Sequence, residues 1–322
     1  MKKTIFLLFI LVFSVFACVN KNASQTIQNW HITNDTLLVD NQFVDNLPQD
    51  QCKQLYIDTG NDIFRSHIGL NDTYDQDFIY NFIAANKYNF HFGYMYGYMV
   101  FASHFPCVYN EPVIILDSLD VDSRKMVLNW VLDAAHAGVM HGKLVFNRMS
   151  ALGVGVVKNT KLEDLMGKSN VTKPETKKED ESFFKLKFIG SHNNVKNDHT
   201  EYTVPVTPTF ESKEDQRLIC QEGNIDAYKR VRELYKSHGI EREAFFYCIV
   251  MANRYHYQSA YLDVYMCLWQ AFNGGKKAEI WDMTRFDPKS RDFAVHYLME
   301  AAKLGNYTAK TILANNFMGG VK

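Results

Sequence analysis

Six cysteines and eleven histidines supply this chain's candidate nucleophiles, bases and metal donors. His136 and His141 stand five residues apart across a helix end. That spacing offers half of a metal site, but one imidazole at a helix C-terminus and one on the surface explain it more simply. His192 and His199, with Asp198 between them, could hold a cation weakly, though loop polarity is the better account of them. Asp117, Asp120 and Asp122 lack the glycine and the late glutamate of a calcium loop, so capping of the next helix is the better reading. Cys248 with Cys267, and Cys52 with Cys107, could staple neighbouring helices; otherwise they are buried thiols acting as small apolar groups. There is no Gly-x-Ser-x-Gly, phosphate-cradling glycine loop, His-Glu-x-x-His or Cys-x-x-Cys. The residues therefore predict no catalytic group, no metal and no cofactor, and a protein that is not an enzyme.

The elements that hold these residues are duplicated. Residues 78–154 return without a gap as 245–321, at a constant offset of 167. Phe78, Tyr80, Asn86, Tyr88 and Tyr94 recur as Phe245, Tyr247, Asn253, Tyr255 and Tyr261, and Asp120, Ser123, Ala134, Ala135 and Gly138 as Asp287, Ser290, Ala301, Ala302 and Gly305. A fixed period signals repeat architecture. Apolar spacing puts helices at about 75–89, 91–105, 120–137 and 141–152 in the first copy, with glycine at the stops. Upstream, Leu55-Tyr56-Ile57 and Gly60-Asn61 parallel Leu218-Ile219-Cys220 and Gly223-Asn224 at an offset of 163.

Composition sets the remaining boundaries. Apolar residues make up 47% of the 322, enough for a sizeable core, and the formal charge of −1 implies no nucleic-acid surface. Residues 1–17 read as a signal peptide: Lys2-Lys3, a short apolar run, then Ala17. Val15-Phe16-Ala17-Cys18 resembles a bacterial lipobox, which makes Cys18 the lipidated residue; ordinary signal-peptidase cleavage after Ala17 is the alternative. Residues 18–47 hold a tether and short strands, 48–157 a first helical half, 158–212 a charged linker with a β-hairpin insert near 184–206, and 213–322 a second helical half.

Trp130-Val-Leu-Asp-Ala-Ala-His-Ala-Gly138 followed by Gly142, and Tyr297-Leu-Met-Glu-Ala301-Ala302-Lys-Leu-Gly305 followed by Ala309, resemble the Sel1-like repeat, a relative of the tetratricopeptide repeat. The resemblance implies an all-α fold: an α/α solenoid of helix pairs in two duplicated halves. In it Trp130, Ala134, Ala135, Gly138 and Gly142, and their copies Tyr297, Ala301, Ala302, Gly305 and Ala309, pack the repeats. It also implies a protein-binding lipoprotein of the bacterial envelope, facing the periplasm from the outer membrane, and among such proteins are immunity proteins against toxin or lipase effectors. An envelope scaffold or signalling adaptor is the rival reading, and a cell-wall hydrolase a more distant one. In a solenoid, shared residues pack while residues that differ between copies meet partners. On that ground His91, Tyr96 and Asp263 are the binding candidates.

Overall fold

The computed structural model describes residues 30–33, 36–39, 42–43, 47–60, 74–108, 111, 113–165, 211–274 and 278–317. The signal segment, Cys18, the His192/His199 pair and the expected hairpin insert lie outside the described residues. The body of what is described is all-α. Three short strands precede it: β1 (Trp30–Thr33), β2 (Thr36–Val39) and β3 (Gln42–Phe43). They form an antiparallel meander that pairs Trp30 with Val39 and Leu38 with Phe43.

The first half contains α1 (Gln49–Thr59), α2 (Tyr74–Tyr88), α3 (Phe92–His104), α4 (Val121–His136), α5 (Met140–Leu152) and the one-turn α6 (Leu162–Leu165). The second begins with α7 (Lys213–Arg217), which continues into a π-helical turn, Leu218–Glu222. Then come α8 (Ile225–Ser237), a 3-10 turn (Glu241–Ala244), α9 (Phe245–Asn253), α10 (Gln258–Asn273), α11 (Pro288–Lys303) and α12 (Tyr307–Phe317).

Equivalent residues start and stop equivalent helices. Asp120 Oδ1 accepts from the Ser123 amide at 2.8 Å, and Asp287 Oδ1 from the Ser290 amide at 3.0 Å, each satisfying a donor that the first turn leaves open. Gly138 and Gly305 follow the two helices at φ +92° and +94°. Upstream, the Tyr88 hydroxyl donates to the Ile57 carbonyl at 2.8 Å, and the Tyr255 hydroxyl to the Cys220 carbonyl at 3.0 Å. The two rings lie so close over Gly60 and Gly223 that a Cβ there would sit 2.6 Å and 2.2 Å from ring carbons. The equivalence read at an offset of 163 therefore has a physical basis: both glycine turns sit under a tyrosine lid.

Within each half, every helix of the set α2 to α5, or α9 to α12, packs on the next. The close approaches depend on small residues. A Cβ at Gly142 would lie 2.8 Å from the Ala135 amide nitrogen, so α4 and α5 meet backbone to backbone. Ala309 fills the equivalent place in the second half and is fully buried. Trp130, Ala134, Ala135, Tyr297 and Ala301 are all buried, whereas Ala302 is only half-buried.

The halves meet through α2 against α9, α2 against α11 and α4 against α9. These contacts are reciprocal under the offset, as in an isologous interface. Phe78 and Phe245 occupy the same position in the two copies, and their ring centroids are 5.4 Å apart. An approximate internal two-fold axis therefore passes beside them. Phe82, Trp130 and Phe293 extend this aromatic layer with centroid separations of 4.8 to 6.2 Å.

Candidate functional site

Two buried polar clusters flank the aromatic layer, and each is built on one of a pair of equivalent tyrosines. Tyr80 of α2 donates to Glu243 Oε1 at 2.7 Å and accepts from Arg242 Nε at 2.8 Å. Lys53 of α1 reaches the same Glu243 oxygen at 2.7 Å, with both side chains nearly inaccessible. Its counterpart, Tyr247 of α9, places its hydroxyl between Asp75 Oδ2 at 2.5 Å and Glu211 Oε1 at 2.6 Å. Tyr235 donates to Glu211 Oε2 at 3.0 Å, and both Asp75 oxygens lie 2.9 Å from His104 Nε2. Burial and the adjoining acids raise both phenols well above their ordinary range, so they serve as donors.

The second cluster includes the residue types of a cysteine nucleophile: Cys220, His104 and Asp75. Its electrostatics point elsewhere. Burial lowers the His104 pKa, but Asp75 outweighs it and holds the imidazole up to about 10, as a cation that cannot take a proton. Burial pushes the Cys220 thiol up, and the residue is 1% exposed. A nucleophile needs the thiolate and access to it. This constellation ties α2, α3, α9 and the π-turn together.

A third cluster surrounds one of the binding candidates. Asp263 of α10 accepts from the Tyr228 hydroxyl at 2.6 Å and pairs with Arg232 at 3.4 Å, both from α8. Cys248 and Cys267 lie beside them, sulfurs 3.9 Å apart. Tyr96, at the equivalent position of the first copy, is 5% exposed and donates to Asp77 Oδ2 at 3.2 Å. Tyr96 is therefore a packing residue rather than a surface contact. The two positions differ because each answers a different internal neighbour.

His91 is placed differently. It opens α3 at the surface seam, its ring 6.0 Å from that of Tyr94, and Lys289 Nζ from α11 lies 5.9 Å from the same Tyr94 ring. Burial, followed by Lys289, holds the His91 imidazole below its ordinary value, against the pull of Asp133. The Asp133 carboxyl is raised by burial, opposed by Lys289, His91 and His136. His91 Nδ1, His136 Nε2 and Asp287 Oδ2 find no hydrogen-bond partner among the described residues. In the second copy the corresponding groups are occupied: Gln258 donates to the Leu304 carbonyl at 2.7 Å, and Lys303 pairs with Glu300 at 2.6 Å. The unpaired His91 and His136 nitrogens are shielded from solvent within half-buried side chains, while Asp133 of the first copy and Lys289 of the second are exposed beside them.

The remaining sequence candidates fall into place individually. His141 is half-buried, and burial pushes its imidazole down to about 4. Among the described residues no three His, Cys, Asp or Glu side chains converge as metal donors, and all five described cysteines are free thiols. Asp117 forms an exposed pair with Arg124 while Asp120 caps α4. No described helix is long and apolar enough to cross a membrane. Sequence reasoning missed Asp75, His104, Glu211, Lys53 and Glu243. The one signal for them was the recurrence of Tyr80 as Tyr247, since a phenol kept at a buried position needs a partner. No protein-family model, curated protein or solved structure matches the chain.

Proposed function

We propose that this chain is an exported scaffold that binds another protein at the bacterial envelope. On this reading residues 1–17 are its signal peptide, and Cys18 carries a lipid that anchors it in the outer membrane, facing the periplasm. Its helix pairs form two short Sel1/tetratricopeptide-like solenoid arrays set face to face. The observation that carries the reading is the contrast between clusters. Groups that could do chemistry are buried and engaged in joining helices, while a polar patch that differs between copies, with Asp133 and Lys289 exposed beside the half-buried His91, lies at the surface. Such a patch is suited to recognition and not to turnover, so no cofactor is required.

Within this class the favoured role is an immunity protein that occupies a secreted toxin or lipase effector. The test is co-expression in the periplasm with an effector encoded beside this gene. Growth rescue together with a stable complex supports the role. Killing that proceeds unchanged, with no complex recovered, removes it. A complex with an endogenous envelope protein instead would establish the rival scaffold or adaptor role. A Cys18→Ala chain that still takes up a labelled fatty acid would refute the lipid anchor.

A further inference from the structure

We propose that Cys248 and Cys267 form a disulfide site that locks α9 to α10 when the chain folds in the presence of a disulfide oxidant. The two residues sit on consecutive, packed helices, both fully buried, with sulfurs 3.9 Å apart. A disulfide needs about 2.05 Å, so side-chain rotation has to close a gap of roughly 2 Å. Among the described residues this is the one pair of cysteines in sulfur contact. The Cys107 thiol instead turns to the carbonyls of Ala102 and Phe105, at 3.4 and 3.8 Å, and Cys220 lies against His104.

The surroundings favour the chemistry. The Tyr228 hydroxyl is 3.3 Å from Cys248 Sγ, and Arg232 Nη1 is 3.7 Å from Cys267 Sγ. The Arg232 cation is thus placed to favour a thiolate on this sulfur pair, while the Tyr228 proton goes to Asp263. Burial pushes both thiols up, but at Cys248 the hydrogen bond from Cys267 and the charge of Arg232 bring the thiol below its ordinary value. The exchange runs in two steps. Cys248 loses its proton, and its thiolate attacks one sulfur of a low-molecular-weight disulfide, expelling the other sulfur as a thiolate. Cys267, deprotonated in turn, then attacks Cys248 Sγ and expels the second small thiolate. Two protein thiols are oxidised, one external disulfide is reduced to two thiols, and both protons pass to solvent or to the departing thiolates. Because neither sulfur is accessible in the finished fold, the external disulfide reacts with Cys248 while the chain is folding, and the folded surroundings bear on the second, internal attack, once α9 and α10 have met.

The test supplies its own oxidant and so does not depend on export. The purified chain, reduced and unfolded in urea, is refolded with a mixture of reduced and oxidised glutathione. Free thiols are then alkylated and the peptides mapped by mass. The expected result is a Cys248–Cys267 link with Cys52, Cys107 and Cys220 alkylated, and a melting temperature several degrees higher than in reductant. In the Cys267→Ala chain, Cys248 should stop at the mixed disulfide with glutathione. If that variant does not fold, the wild-type map decides alone. Alkylation of both Cys248 and Cys267 after oxidative refolding, or a link from either to another cysteine, overturns the proposal.

Discussion

Asn86 of α2 donates through Nδ2 to Ser290 Oγ of α11 at 3.1 Å, across the boundary between the two halves. Its equivalent, Asn253 of α9, donates to Ser123 Oγ of α4 at 3.3 Å, so the junction is made twice. Each serine also gives its amide to the capping aspartate of its own helix. One Asp–Ser–Asn chain therefore couples the start of a helix in one half to the helix that opens the duplicated stretch in the other. The supporting donors differ: Tyr94 donates to Asn86 Oδ1 at 2.8 Å, and Tyr297 to Asn253 Oδ1 at 2.9 Å.

Removing either amide leaves a serine oxygen and a tyrosine hydroxyl without their partner. A buried group left unsatisfied costs about 1–3 kcal/mol. Asn253→Ala should stand near the top of that range, because Asn253 and Ser123 are both buried. Asn86→Ala should cost less, because Asn86 is half-buried. Urea unfolding of the single and double variants measures this. No cost in either variant would show that the junction does not hold the halves together, and equal costs would show that burial does not set the difference between the two.

The helix contacts should respond unequally to added volume. Ala135 is 1% exposed against the backbone beside Gly142, so Ala135→Leu should overpack α4 against α5 and cost about 1–3 kcal/mol. Ala302, its copy, is half-buried, and Ala302→Leu has room to turn outward. Its cost should fall below about 1 kcal/mol. Thermal melting that is the same for wild type and Ala135→Leu would contradict the tight contact.

These junctions mark what the sequence made legible. Asp120, Ser123 and Asn86 recur because both copies need the same bond, and Tyr88 with Gly60 recurs for the same reason. Recurrence therefore located the helix ends and most of the buried contacts, but Gly138 and Gly305 are exposed and stop helices rather than pack them, and Ala302 is only half-buried. The converse rule failed at Tyr96, because a residue unique to one copy can answer a neighbour unique to that copy. Asp75 and Arg242 show this most clearly: opposite charges stand at equivalent positions, and each is engaged by the tyrosine of the other half. Asp75 meets His104 and Tyr247 across 29 and 172 residues. No local period encodes contacts of that separation, so the buried clusters appear only once the helices are assembled.

Two histidines predict a stability maximum in pH. The folded His104 titrates near 10, against an unfolded value near 6.5. A raised folded pKa gives stability that is complete below about 6.5 and lost as pH climbs toward about 10. His141 has the opposite sign: with its folded pKa near 4, stability present above about 6.5 is lost as pH falls. Each limb is worth on the order of a few kcal/mol at full titration. Melting temperatures between pH 4 and 10 test both. His104→Gln should flatten the alkaline limb and His141→Asn the acid limb, each leaving the other in place. A His104→Gln profile parallel to wild type would mean that the Asp75 pair does not hold the proton.

The last prediction concerns recognition. If the patch around His91 and Lys289 meets the partner, His91→Ala and Lys289→Glu should weaken the complex recovered by co-expression, each by about tenfold or more, the loss of roughly 1.4 kcal/mol. Stability should barely change. His91 Nδ1 has no hydrogen-bond partner among the described residues, and Lys289 is exposed, so neither variant breaks a strong internal bond. Gln258→Ala is the control, because it alters the position equivalent to His91 while touching only the Leu304 carbonyl. It should leave affinity intact. Titration calorimetry separates the cases: a loss confined to the His91 and Lys289 variants places the contact on this patch. Equal losses in all three variants would make the surface common to both copies the docking face, and rule out the copy-specific patch.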